Sequence, residues 1–137
     1  MRKFFLTAIA VLVIIGLATG IYMWNKPHIN MQRASADLAV SASDLMAAFN
    51  EDESAANAKY RDKVVAVKGK VLETNTNGGV TIVSMLTNDD FGAISCELDQ
   101  RSKQKRTEFS AGEEIVLKGI CVGKTIDVVM VRCVLVE

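Results

Sequence analysis

Val67-Lys68-Gly69-Lys70-Val71 and Leu117-Lys118-Gly119-Ile120-Cys121 share one pattern: a single glycine set among alternating apolar residues, inside what otherwise reads as a β-strand. Glycine weakens a strand and offers no side chain to pack, so at such a place it marks a bulge or a sharp bend. Two bent strands in one small domain describe a sheet curled into a barrel, whose corners need that relief. Outward from these segments, period-two alternation begins after Lys63 and continues toward the end of the chain.

That alternation divides into five candidate strands, at 64–73, 80–86, 93–98, 113–122 and 127–136. Asn75-Thr76-Asn77-Gly78-Gly79 separates the first two with a turn that tolerates positive φ, and Asn88-Asp89-Asp90 separates the next two. Five strands with a long connection between the third and fourth match a Greek-key barrel of the OB type. In that topology the first strand pairs with the fourth to close the barrel. These are the two strands that carry the glycines, so the pair predicts the closure seam.

The residues before the barrel divide in two. From Phe4 to Trp24 there are 21 residues without a charge, enough for a helix of about 30 Å, the thickness of a bilayer's hydrocarbon core. Arg2 and Lys3 precede it, and Tyr22 and Trp24 stand near its far end, where interfacial aromatics are favoured. These cues read as a membrane anchor over residues 4–24 with the domain on the extracytoplasmic side. Residues 4–15 followed by Ala18-Thr19-Gly20 also fit a cleavable signal, which would release a secreted or periplasmic product.

After a polar link holding the only proline (Pro27) and the only histidine (His28), an alanine-rich stretch shows helical spacing. Leu38, Leu45, Met46 and Phe49 fall on one side, with Ser41 or Ser43 as caps before Asp44. Residues 54–60 read as a second short helix with an acidic start. Phe49 and Tyr60 are expected to pack this pair against the sheet. The organisation is therefore an anchor or signal at 1–25, a link and helical pair at 26–62, and a mainly β barrel at 63–137.

Charge argues against one class of partner. The chain carries 16 basic and 16 acidic residues, and setting aside Arg2, Lys3 and Lys26 beside the anchor leaves a domain net of −3. Nucleic-acid domains ordinarily carry a basic excess, because neutralising phosphates supplies much of their affinity.

Several segments together resemble a known family. Ala55-Ala56-Asn57-Ala58-Lys59-Tyr60, Val67-Lys68-Gly69-Lys70-Val71, and Gly119-Ile120-Cys121-Val122-Gly123 with Asp127-Val128-Val129 and Cys133 are similar to the tRNA-anticodon-like OB-fold proteins of bacteria. The resemblance spans residues 44–136. It implies an exported or membrane-tethered five-stranded barrel with two leading helices and no assigned activity; the name records fold similarity, and tRNA binding does not follow from it. Members include lipoproteins, whereas this chain has no cysteine before Cys96 to carry a lipid.

Candidate sites are few. Arg101, Lys103, Lys105 and Arg106 put four cations into six positions before the fourth strand, a pattern that fits either an anion contact or a solvated loop. Phe91 is the one aromatic in residues 81–98, where a single-strand binder would need several for stacking. Of the three cysteines, Cys121 and Cys133 would lie about 13 Å apart along a hairpin with Cys121 opposite residue 128 or 129, beyond bridging reach. Cys96 and Cys133, on neighbouring strands, are the pair placed to bridge if one forms, although buried thiols satisfy the pattern equally. Their spacing is not that of a zinc site. His28 lies in the link, so no Cys-His or Ser-His arrangement can form inside the domain. Asp89, Asp90 and Asp127 read as turn residues. The sequence predicts a non-enzymatic binding module with no cofactor or metal, contacting an envelope protein, peptide or glycan. A single-stranded nucleic-acid binder and a structural spacer are the alternatives.

Overall fold

The computed structural model describes residues 2–25 and 29–136. Pro27 and His28 lie outside the described residues. Helix α1 (Arg2–Trp24) is apolar on every side, and none of its Thr7–Trp24 stretch is buried against the rest of the protein. It is long and apolar enough to cross a membrane.

The domain begins with a strand where the sequence predicts helix. Leu38 lies in β1 (Leu38–Ser41), which runs parallel to β2 (Val64–Asn77) with Leu38 opposite Val65 and Ser41 opposite Lys68. Two bonds at Asp37 fix that register: its N–H donates to the Val64 carbonyl at 2.8 Å, and its carboxylate accepts from the Val64 N–H at 3.0 Å. The anchoring aspartate lies outside the helical window, and tertiary pairing overrides the local pattern. Helix α2 (Ala42–Glu51) then starts at the expected cap, with the Ser41 hydroxyl accepting from the Asp44 N–H at 3.1 Å. Asp52 ends α2 by donating its N–H to the Ala48 carbonyl, and it starts α3 (Glu53–Tyr60) by accepting from the Ala55 N–H.

Strands β2, β3 (Val80–Met85), β4 (Ile94–Leu98), β5 (Glu114–Lys124) and β6 (Val128–Leu135) form a closed barrel in the order β2-β3-β4-β6-β5-β2. The closing pair is β2 with β5, from Val64 opposite Ile120 to Lys70 opposite Glu114. This is the predicted seam between the glycine-bearing strands. The long β2 serves two neighbours in turn: residues 64–70 pair with β5, and Val71 to Asn77 pair with β3. A bulge at Leu72 marks the change, and the tight β2–β3 turn uses Gly78 and Gly79 at φ 60° and 84°.

The glycines themselves do something other than bend. The β2–β5 register runs unbroken through Gly69 and Gly119, and neither has a positive φ. Each instead admits a close neighbour. A Cβ on Gly69 would stand 2.8 Å from the Ala42 Cβ, where α2 begins against β2. A Cβ on Gly119 would run into the Cys133 sulfur and stand 2.9 Å from the Val131 carbonyl oxygen. The bulge belongs to β6, where Arg132, at φ 56°, is the extra residue against both β4 and β5. Gly119 is the hollow into which that bulge fits.

One core joins helices and barrel. Leu45, Met46 and Phe49 of α2 and Tyr60 of α3 are buried with Val65, Val67, Val83, Met85, Ile94, Leu117 and Met130. The Phe49 and Tyr60 rings meet with centroids 6.3 Å apart, so both fill the packing role expected of them. A smaller cluster of Met31, Val64 and Val134 seats the segment that follows the link.

Candidate functional site

Because β4 and β6 run parallel and β5 runs against them, the barrel has two distinct ends. One gathers the β4–β5 connection at 99–113 and the end of β6. The other gathers the β3–β4 and β5–β6 loops beneath the C-terminal end of α2.

The first end holds the basic run, and the fold fixes it firmly. Gln104 clamps it to β6: its side-chain amide donates to the Cys133 carbonyl at 3.0 Å, and its amide oxygen accepts from the Leu135 N–H at 3.1 Å. Phe109 is buried in the core, and its carbonyl accepts from the Thr74 hydroxyl. The Arg106 guanidinium lies 4.9 Å from the centre of that ring and makes a bidentate pair with Glu113, at 2.5 and 2.6 Å. Arg106 and the Ser110 N–H together hold the Glu113 carboxyl below its ordinary range.

Lys103, Lys105 and Arg106 line a cleft of about 450 Å³ together with Lys118, Gln32 and Gln104, closed on one side by Leu135 and Val136. Lys118 projects from β5 and donates to the Ala34 carbonyl at 2.7 Å. Arg101 faces elsewhere, into a second depression with Arg132, Glu97 and Asp99. The structure thus joins three of the four predicted cations in one concave site and assigns the fourth to a mixed-charge neighbour. One of the three, Arg106, is already committed to Glu113.

Phe91 is not part of that site. It lies at the opposite end, before β4, and is 89 % exposed. Asp89 shapes the loop there, accepting from the Phe91 N–H at 2.9 Å and from the Asn50 amide at 2.6 Å. These bonds, the Phe91 N–H foremost, lower the Asp89 carboxyl below its ordinary range. The Asp127 carboxylate accepts from the Ala93 N–H at 3.0 Å and ties this loop to the β5–β6 loop, whose Ile126 is 75 % exposed. All three aspartates read as turn residues therefore lie in these two loops, two of them making structural bonds.

The outer face of β3 and β4 pairs Ile82 with Glu97 and Ser84 with Ser95, and it holds no aromatic residue. No stacking platform stands where OB-type barrels hold nucleotides. The three cysteines are buried and free. Cys121 lies opposite Met130, shifted from the expected 128 or 129 by a bulge at Val122. Cys96 and Cys133 are neighbours, as the topology predicts, and a hydrogen bond between their thiols, with burial, raises the Cys133 thiol well above its ordinary value. Burial pushes the Cys121 thiol to about 11. Both are protonated at neutral pH, a state that disfavours nucleophilic or metal-binding roles. No group of histidine, cysteine and carboxylate side chains able to hold a metal occurs among the described residues.

Sequence reading missed Lys118, Gln104 and Gln32. Lys118 was visible inside the Leu117-Lys118-Gly119 motif, on the outward side of a barrel strand, but its approach to the basic connection depends on tertiary structure. Gln104 sits within the run of cations as its one amide, the only local signal of its role.

Compared with known sequences, residues 1–135 match the sequence model of a family described as tRNA_anti-like. No curated protein and no solved structure matches the chain.

Proposed function

Because the chain belongs to the tRNA_anti-like family, we propose that it is a non-catalytic binding module of the bacterial envelope, carried on the inner membrane by α1 with its OB-type barrel on the extracytoplasmic side. The apolar length of α1, the basic residues before it and the aromatics near its far end support the anchor. The observation that carries the binding role is the pair Phe91 and Ile126, two large apolar side chains standing in solvent on loops tied to each other at one end of a rigid barrel. The β5–β6 loop corresponds to the last hairpin loop of OB-type barrels, which commonly takes part in ligand contact. Asp89 and Asp90 beside Phe91 favour a protein or peptide surface that is apolar and basic.

Two measurements test this reading. Mass spectrometry of the mature N-terminus and alkaline extraction of membranes address the anchor: an intact N-terminus in the membrane fraction supports it, and a released product starting at Ile21 overturns it. A photo-crosslinking residue at position 91 in living cells addresses the contact. One discrete adduct, lost in Ile126→Asp and absent when the probe sits at position 74, supports the assignment. Equal labelling at both positions sinks it.

A further inference from the structure

Resting on the reading that α1 sits in a bilayer, we infer that the cleft of Lys103, Lys105, Arg106 and Lys118 receives the phosphate of an anionic phospholipid headgroup and docks this end of the barrel on the membrane. Three observations converge on it.

The first is charge placement. The domain as a whole is acidic, so a cleft walled by four cations is not a consequence of composition. Glu113, an acid that neutralises part of this cluster, is held by Arg106. Lys103 presents an ammonium toward an incoming anion, and Lys118, whose ammonium carries three donors, keeps one beyond the two it gives to the Ala34 and Gln32 carbonyls. Lys103 has no ion-pair partner among the described residues.

The second is position along the chain. Gln32, in the wall of the cleft, lies seven residues after Asn25, the turn residue that ends α1. Seven residues reach at most about 25 Å when fully extended. The segment is also fastened to the barrel beside the cleft. Arg132 donates to the Ile29 carbonyl at 2.6 Å, and Lys118 donates to the carbonyls of Ala34 and Gln32 at 2.7 and 3.4 Å. The polypeptide leaving the membrane therefore forms one wall of the site. Few ligands are as reliably within reach as the headgroups around the anchor itself.

The third is the mixed surface around the cleft. Val136, an exposed apolar residue, lines the cleft with these cations, and exposed Ile29 lies on the segment that leads from α1 to Gln32 in its wall. An interfacial surface combines such residues with lysines that pair with lipid phosphates. The Gln104 clamp holds the cations on the barrel wall, so little order is lost when they meet the bilayer.

The test uses the full chain in nanodiscs and reads amide hydrogen exchange across residues 101–106 and 116–119. Discs of phosphatidylcholine alone are compared with discs that contain phosphatidylglycerol. The expected result is exchange slowed about fivefold at 101–106 in the anionic discs, a shift reversed by high salt. It should be absent in Lys103→Gln/Lys105→Gln, whose surface positions leave the core intact. Equal exchange in both discs overturns the inference and leaves the anchor standing. A chain that never enters discs overturns both. Equal slowing by inorganic phosphate in neutral discs would make the site one for free anions. Slowing by a single-stranded RNA oligonucleotide but not by phosphatidylglycerol would return it to nucleic acid.

Discussion

Phe91 and Phe109 stand on opposite sides of β4 in sequence and at opposite ends of the barrel in space, and the fold treats them in opposite ways. Phe109 is 8 % exposed, buried under Arg106 with its carbonyl held by Thr74, while Phe91 is 89 % exposed on a loop whose backbone is nevertheless well bonded. At the basic end a buried aromatic and a half-buried amide, with a partly exposed ion pair over the ring, immobilise a connection of irregular backbone. At the other end, the polar groups hold the loops and the apolar groups are left outside. A side chain that the fold does not need, displayed on a support that the fold keeps rigid, is available for an intermolecular contact. The basic end displays ammonium groups on the same principle.

The contrast is broken most forcefully at Phe109. Truncating a buried phenylalanine to alanine costs about 3 kcal/mol or more, because transfer free energy is lost and a cavity remains. Phe109→Ala is expected to lower the urea midpoint accordingly, with exchange across 99–113 rising further than across β2 or β6. A loss under about 1 kcal/mol would show that the connection does not depend on its plug.

Gln104→Ala comes next. It strips the Leu135 N–H and the Cys133 carbonyl of their side-chain partner at a partly buried place, and one to two such losses amount to about 1–2 kcal/mol. Gln104→Glu sharpens the reading. It keeps an acceptor for the Leu135 N–H and removes the donor to Cys133, so it should fall between wild type and alanine in thermal midpoint.

These two residues also show how far the sequence could be read. The barrel was legible because alternation, turn glycines and strand count agree with one another, and the closure seam followed from topology alone. The cap of α2, read as Ser41 or Ser43 and found at Ser41, and the core roles of Phe49 and Tyr60 followed from local pattern. β1 was not legible, since its strand conformation depends on Asp37 pairing with Val64, 27 positions away. Nor was the purpose of Gly119. Its need arises on another strand, at the Arg132 bulge, and the segment around Gly119 carries no sign of it. For the site, four cations in six residues were visible. Which of them share a cleft, and that Lys118 completes it, depends on where β5 carries an outward lysine relative to a connection that looks unstructured.

A smaller effect appears with pH. Arg106 and the Ser110 N–H hold the Glu113 carboxyl below its ordinary value, so its contribution is fully present above the unfolded glutamate pKa and lost as pH falls through the lower folded value. Asp89 has the same sign at the other end, with the Phe91 N–H as its chief cause. Glu113→Gln should therefore be less stable than wild type at pH 7 and indistinguishable from it in strong acid. Added salt should narrow the difference at pH 7, since the Arg106 pair is partly exposed. A gap that persists in acid would mean that Glu113 acts through packing instead of charge.

The smallest expected effect is the most telling. Phe91→Ala should change the unfolding free energy by less than about 0.5 kcal/mol, since the side chain is almost wholly in water before and after unfolding. The bonds that shape its loop run through the backbone N–H of residue 91 and the Asp89 carboxylate, which alanine leaves untouched. Any larger destabilisation would show that the phenyl packs within the fold, and the contrast between the two ends would fail. If stability is unchanged, yet the adduct formed by a probe moved to position 126 disappears in Phe91→Ala, the ring's free energy is realised only in a complex. In that outcome Phe109 serves to secure the domain and Phe91 to make the contact.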